Sequence, residues 1–299
     1  MDKRNEISDF LASRRARITP QQAGLPVYGG NRRVPGLRRE EVAMLAGMSV
    51  DYYVRLERGN LRGASEAVLD ALARALQLDE AERAHLQDLA RTDSATSTSR
   101  RRRPATQPQV PSNVQRSLDA MSDAVAIVRD SRLDIVAANR LGFALYAPMF
   151  ADGHKPPVNI ARFKFLDPRG RDFFGINWEE STNITVSLLR TEVGRAPYDK
   201  GLTDLIGELV TRSEEFRSAW AQHNVRQLYT GAKKFRHPVV GDLTLAFDAM
   251  HLPAQPGLTI GVMTAEPGSH DEDALKLLAS WAASGEETGL SHVLDSHPA

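Results

Sequence analysis

The chain has 299 residues, 41% apolar and 25% charged, enough to bury a sizeable core in one to three globular domains. It contains no cysteine, which excludes disulfides and thiolate metal sites, and no run near the roughly 20 apolar residues a membrane span needs. A net charge of zero hides an asymmetry: residues 1–103 hold 19 Lys+Arg against 14 Asp+Glu, and the rest hold 19 against 24, so a basic head precedes an acidic body. The opening MDKRNEISDF lacks the apolar core of a secretion signal. Together these features lead to the expectation of a cytoplasmic protein with no membrane partner.

In chain order, Ile7 to Arg17 carries Ile7, Phe10, Leu11 and, just beyond, Ile18 at helical spacing. A Gly/Pro-rich connection follows and ends near Gly36. A second helix is predicted over Arg38–Ala46, and a third is capped by Ser49 and stopped at Gly59. Ser65 caps a fourth, whose Val68, Leu69, Leu72 and Leu76 form one stripe, and the Asp79/Glu82 capping box opens a fifth that runs through Leu89. The segment TDSATSTSRRRRPATQPQVPSN, residues 92–113, has no aromatic residue and reads as a flexible linker. Its Arg100–Arg103 run suits either a DNA phosphate contact or a solvated charge cluster.

The body, 114–285, reads as mixed. AVAIVRDSRLDIVAAN (124–139) is a hairpin about Asp130–Ser131, and strands are predicted at 225–230, 243–252 and 258–266, with a last helix over Asp271–Ala283. The expected class is therefore an all-α five-helix head (1–91) and an α+β body, an antiparallel sheet with helices on one face, followed by a polar tail (286–299).

The stretch LAGMSVDYYVRLERGN, residues 45–60, has the requirements of a helix-turn-helix. Ala43 gives the close helix contact, Gly47 the turn, and Met48, Tyr53 and Leu56 the lock between helices. The outer face of the second helix then offers Val50, Asp51 and Arg55 to base edges, while Ser49, Arg38, Arg39, Arg58 and Arg62 are placed for phosphates. A helical protein-binding module with a solvated arginine face is the competing account; Glu57 before Arg58–Gly59 narrows the choice toward DNA.

RREEVAMLAGMSVDYYVRLERG resembles the XRE type of helix-turn-helix, the lambda-repressor-like fold. That resemblance implies that Glu57 pairs with an arginine of the first helix, Arg14 or Arg15. The longer pattern RRVPGLRREEVAMLAG…VDYYVRLERG, with ALARALQLDEAERAHLQDLA after it, is similar to the MmyB-like regulators, as are RFKFLDPRGRDFF, GELVTRSEEFRSAWAQHNVR and KKFRHPVVGDLTL. It implies a PAS-like C-terminal domain that takes a small, often lipid-like ligand. Two departures stand out: Asn177 before Trp178, where an aspartate is usual, and the turn NLRGAS (60–65).

The body shows no H-E-x-x-H, G-x-S-x-G or glycine-rich phosphate loop. His223, His237 and His251 are spread without tight ligand spacing and read as structural, so no metal, cofactor or catalysis is expected. Asp167–Pro168 and Asp172 beside Arg169 and Arg171 read as a turn with local ion pairs. Candidate ligand contacts are the aromatics Phe143, Tyr146, Phe165, Trp178 and Trp220, with Asn139, Arg140, Arg190, His223 and Arg226 as polar anchors; core packing and salt bridges are the plainer roles for the same residues. The expected function is a homodimeric, sequence-specific transcriptional regulator that binds double-stranded DNA at a near-palindromic operator and senses a small apolar or lipid-like effector. The alternative is a DNA-binding regulator whose body is a protein-interaction module without a small-molecule ligand.

Overall fold

The computed structural model describes residues 3–25, 35–94, 110–151, 157–196, 199–223 and 230–284. Most of the expected linker, and all of the expected tail, lie outside the described residues. Two compact units partition the chain: one comprises residues 1–102, 190–203 and 218–227, the other 103–189, 204–217 and 228–299.

The first unit begins with the five expected helices: α1 (Lys3–Arg17), α2 (Arg39–Leu45), α3 (Val50–Glu57), α4 (Glu66–Ala75) and α5 (Glu80–Ser94). The last of these runs five residues past Leu89, into the sequence assigned to the linker. Ile7, Phe10 and Leu11 are fully buried and pack with Val42, Tyr53, Leu56, Leu72 and Leu86 in one core. The helix starts are fixed by their side chains. The Ser49 and Ser65 hydroxyls accept from the Tyr52 and Val68 amides at 3.2 and 3.3 Å, and Asp79 and Glu82 cap each other's backbone at 2.8 and 3.2 Å. Two glycines adopt backbone conformations that other residues rarely take. Gly47 turns the chain at φ +64°, and Gly59 combines φ +85° with a space so small that a Cβ would lie 2.3 Å from the Arg4 carbonyl oxygen.

The second unit holds α6 (Ser112–Asp119), β1 (Val125–Arg129), β2 (Asp134–Ala138), α7 (Arg140–Leu145), α8 (Ala147–Phe150), β3 (Val158–Asn159), α9 (Ile160–Leu166) and α10 (Pro168–Phe173). A 3₁₀ turn at Gly175–Asn177 leads into α11 (Trp178–Arg195), whose last six residues belong to the first unit. Then come α12 (Lys200–Arg212) and α13 (Glu214–Ala221), each divided between the units, and finally β4 (Thr230–His237), β5 (Gly241–His251), β6 (Thr259–Thr264) and α14 (His270–Ser284) in the second.

The strands form one antiparallel sheet in the order β3-β2-β1-β6-β5-β4. The β1–β2 hairpin turns where Asp130 accepts from the Arg132 and Asp134 amides at 2.8 and 2.9 Å, while burial, with Asp134 beside it, pushes its carboxyl up to about 6.

One expectation needs correction. Helices cover both faces of the sheet, not one. Val125 and Ile127 join the large aromatic core with α7 and α14, whereas Ala126 and Val128 pack with Val114 and Leu118 of α6 on the opposite side. That is why VAIVR is buried at every position instead of alternately. Of the strand expected at 225–230 only Thr230 is described, and it lies in a strand; residues 224–229 lie outside the described residues, and the pairing partner of β5 is the polar TGAKKFRH. That strand buries only Phe235 and His237 fully, so its apolar signal is weak.

Candidate functional site

In the first unit the inner and outer faces of α3 separate as a groove-reading helix requires. Tyr53, Leu56 and Glu57 are buried; Asp51 and Arg55 are exposed, and Val50 is 44% exposed. Glu57 joins three helices. Its carboxylate accepts from Arg15 of α1 at 2.6 Å, from Arg39 of α2, and from the Tyr53 hydroxyl at 3.2 Å. Burial works to raise that carboxyl, but the two arginine hydrogen bonds outweigh it and hold it below the usual carboxylate range. Burial and the neighbouring Glu57 push the Tyr53 phenol up, so it stays a neutral donor.

Of the two arginines that the resemblance offered to Glu57, Arg15 is the partner. Arg14 is taken up elsewhere, in an ion pair with Glu82 at 2.9 Å, and burial brings its guanidinium down to about 10.

The phosphate candidates surround α3. Arg39 is over half exposed even while it braces Glu57, so one side chain can both set the angle of the helix and face a polyanion. Arg38 is exposed, its backbone amide capped by Glu41 at 2.6 Å; Arg58 ends α3, and Arg62 is exposed in the following turn. Ser49 is occupied as the cap of α3. On the outer face, Arg55 lies 5.2 Å from the Tyr52 ring and donates to the Arg62 carbonyl at 2.8 Å.

The nine described ligand candidates are divided between the two units. Asn139 spends all its hydrogen-bonding capacity on the backbone: Oδ1 accepts from Gly142 and Ala126, at 2.7 and 3.1 Å, and Nδ2 donates to Met121 and Ala124, at 2.7 and 2.8 Å. Arg140 is exposed at the start of α7 and reaches the Ala282 carbonyl at 3.5 Å. Phe143 and Tyr146 lie inside the aromatic core. Phe165 and Trp178 stand together, 6.1 Å apart and half-buried.

Arg190, Trp220 and His223 fall in the first unit and form a buried knot. Arg190 is fully buried and pairs with Glu6 at 2.5 Å. It lies 4.0 Å from the Trp220 ring, donates to the Trp220 carbonyl, and sits 3.0 Å from His223 Nδ1. His223 is held at φ +52° with its carbonyl accepting from Arg14, and burial, with Arg190 and Arg14 beside it, lowers its imidazole to about 4. Next to this knot His85 is buried against Phe10 and brought down to about 3 by burial and the same two arginines, so it is neutral. Arg226 lies outside the described residues.

The other sequence expectations divide. His237 accepts from the Val239 amide at 3.2 Å, with its other ring nitrogen 3.2 Å from the Ala144 carbonyl, and His251 meets Thr259 at 3.1 Å. Among the described residues no three His, Asp or Glu stand close enough to hold a metal. Arg169 forks onto Asp167 at 2.9 and 2.6 Å, a local pair, but Arg171 reaches Glu215 at 2.7 Å. Asn177 donates to Glu180.

Sequence reasoning passed over Lys164. This side chain is 2% exposed, donates to Ser181, and stands 5.0 Å from the rings of Phe174 and Trp178. The one available signal was its helical spacing from Ala161, which puts both on the buried face of α9.

No described helix is long and apolar enough to cross a membrane. Residues 6–86 match the model of a helix-turn-helix domain, and residues 110–278 match that of the MmyB-like transcription regulator ligand binding domain. No curated protein matches the chain.

Proposed function

Because the chain belongs to the MmyB-like transcription regulators and carries their DNA-binding helix-turn-helix, we propose that it binds a near-palindromic operator as a homodimer and that residues 110–278 sense a small apolar or lipid-like molecule. The observation that carries the DNA side is the division of α3, with Tyr53, Leu56 and Glu57 locked inward and Val50, Asp51 and Arg55 turned outward. Val50, Asp51 and Arg55 read base edges, Arg55 with the fork geometry that suits a guanine. Arg38, Arg39, Arg58 and Arg62 hold phosphates, and Ser49 sets the helix start beside them. Two copies place their recognition helices about 34 Å apart, or a multiple of that, along the duplex. The effector acts by its different affinity for two arrangements of the dimer, so operator affinity changes by that difference. The matched helix-turn-helix and regulator ligand-binding domains support regulation as the main role.

The test uses the full chain on its selected operator and on random duplex. Arg55→Ala costs about 1–3 kcal/mol on the operator and relaxes base preference at one position, with little change on random DNA. Equal losses on both duplexes overturn the assignment of Arg55, and a footprint without two symmetric half-sites overturns the dimer.

A further inference from the structure

Lys164 poses an electrostatic problem that the fold itself does not solve. Its ammonium is buried on α9, and among the described residues no carboxylate lies within ion-pair distance of it. Its contacts are one hydroxyl, Ser181, and three aromatic rings: Phe174 and Trp178 at 5.0 Å and Phe165 at 5.8 Å. A hydroxyl and ring quadrupoles do not repay the cost of taking a full charge out of water.

The nearest acid in electrostatic terms, Glu215, is already bound to Arg171 at 2.7 Å, and Arg171 in turn lies 4.3 Å from the Trp178 ring. A second lysine adds to the excess. Lys233 of β4, on the same face as the buried Phe235 and His237, stands 3.8 Å from the Phe247 ring and repels Lys164. Phe174, beside Lys164, packs 6.0 Å from Phe235, so one aromatic wall connects the two lysines. Beside Lys164, the side chains of Phe165, Trp178 and Ser181 are half-buried.

We propose that Lys164, supported by Ser181 and Lys233, is the seat for the acidic group of an apolar organic acid, whose ring or chain lies against Phe165, Phe174 and Trp178. This rests on the ligand-binding reading of residues 110–278 and adds the chemistry of the ligand to it. The anion supplies the missing counter-charge, and a charge-assisted hydrogen bond in a dry site is among the strongest available. Burial, followed by Lys233, lowers the Lys164 ammonium to about 7, and burial, followed by Arg129, does the same to Lys233. The empty seat is therefore partly deprotonated at neutral pH and takes up protons when an acid enters. Acid affinity falls as pH rises above about 7, by up to tenfold per unit for each lysine. The charged groups that face the two lysines are Glu215, which is paired with Arg171 at 2.7 Å, and Arg129.

The experiment is isothermal titration of the full-length protein with 2-naphthoate and decanoate, each against its neutral counterpart, 2-naphthylmethanol and decanol. The two acids distinguish a ring from a chain. The expected result is that at least one acid binds more tightly than its alcohol, and that its heat varies with the ionisation enthalpy of the buffer. Lys164→Met weakens that acid about tenfold to a hundredfold and leaves the alcohol unchanged, and Lys233→Met weakens the acid by less. Equal binding of acid and alcohol, or an acid affinity that both variants leave intact, overturns the seat while the ligand-binding reading stands. Binding of none of the four probes to the wild-type protein overturns both. An acid that binds through Lys164 without changing operator affinity keeps the seat and removes the sensing role.

Discussion

Replacing Glu57 with glutamine tests whether the angle of the recognition helix is set by charge. The carboxylate is 3% exposed and holds Arg15, whose side chain is 18% exposed, and Arg39, which is 55% exposed. The Arg15 bond is largely shielded and counts as a charge-assisted bond, about 1.5–3 kcal/mol. The Arg39 bond is screened by water and counts as a surface pair, about 0–1 kcal/mol. Glutamine keeps the shape and one acceptor, but turns an amide donor toward an arginine. The expected loss is roughly 2–4 kcal/mol, a fall in melting temperature of about 6–16 °C at some 3–4 °C per kcal/mol. The dependence on pH follows from the direction of the Glu57 shift. Its carboxyl is held below its unfolded value, so the stabilisation is complete above about pH 4.3 and fades as pH falls through the folded value. The gap between wild type and Glu57→Gln in differential scanning calorimetry should thus be wide at pH 7 and narrow toward pH 3. DNA affinity at pH 7 should fall on every duplex, since α3 loses its brace to α1 and α2. A variant that melts within 1 °C of wild type at pH 7, or a gap that does not close in acid, refutes the claim that Glu57 works as a buried anion.

Two other substitutions probe features the sequence did not reveal. Arg190→Met leaves Glu6 buried without its partner and should cost about 3–5 kcal/mol in urea unfolding; pairing it with Glu6→Leu should recover much of that. Leu118→Ala, at the fully buried contact of α6 with the second sheet face, should cost about 2–5 kcal/mol, whereas an exposed site on that helix would lose almost nothing.

The head was legible because its signals are local. Ser49, Ser65 and the Asp79/Glu82 pair mark helix starts within three residues, Gly47 and Gly59 mark the ends, and the apolar stripe needs only a helical period. The hairpin about Asp130 was legible for the same reason. What could not be read is whatever depends on distant partners. Asn139 looks like a free anchor until the backbone of Ala124 and Ala126 folds around it. TGAKKFRH gives no strand signal alone, since its pairing with β5 rather than its apolarity makes it a strand. Lys164 sits in a run that reads as IARFKFL, and only the burial of α9 shows that a charge has been taken inside. Arg190 and Glu6 are 184 positions apart, beyond any pattern of spacing.

The knot around Arg190 also bears on how the protein can be dissected. Residues 190–203 and 218–227 fold into the same unit as the helix-turn-helix, although they lie within the span matched to the ligand domain. A polypeptide cut before residue 92 would thus strip Glu6 of its counter-ion, and Arg14 of the His223 carbonyl, on the helix that also carries Arg15. Its silence toward DNA would then report a damaged scaffold rather than a wrong recognition helix. Point substitutions in the intact chain, not excision, are the sound way to ask what the head does.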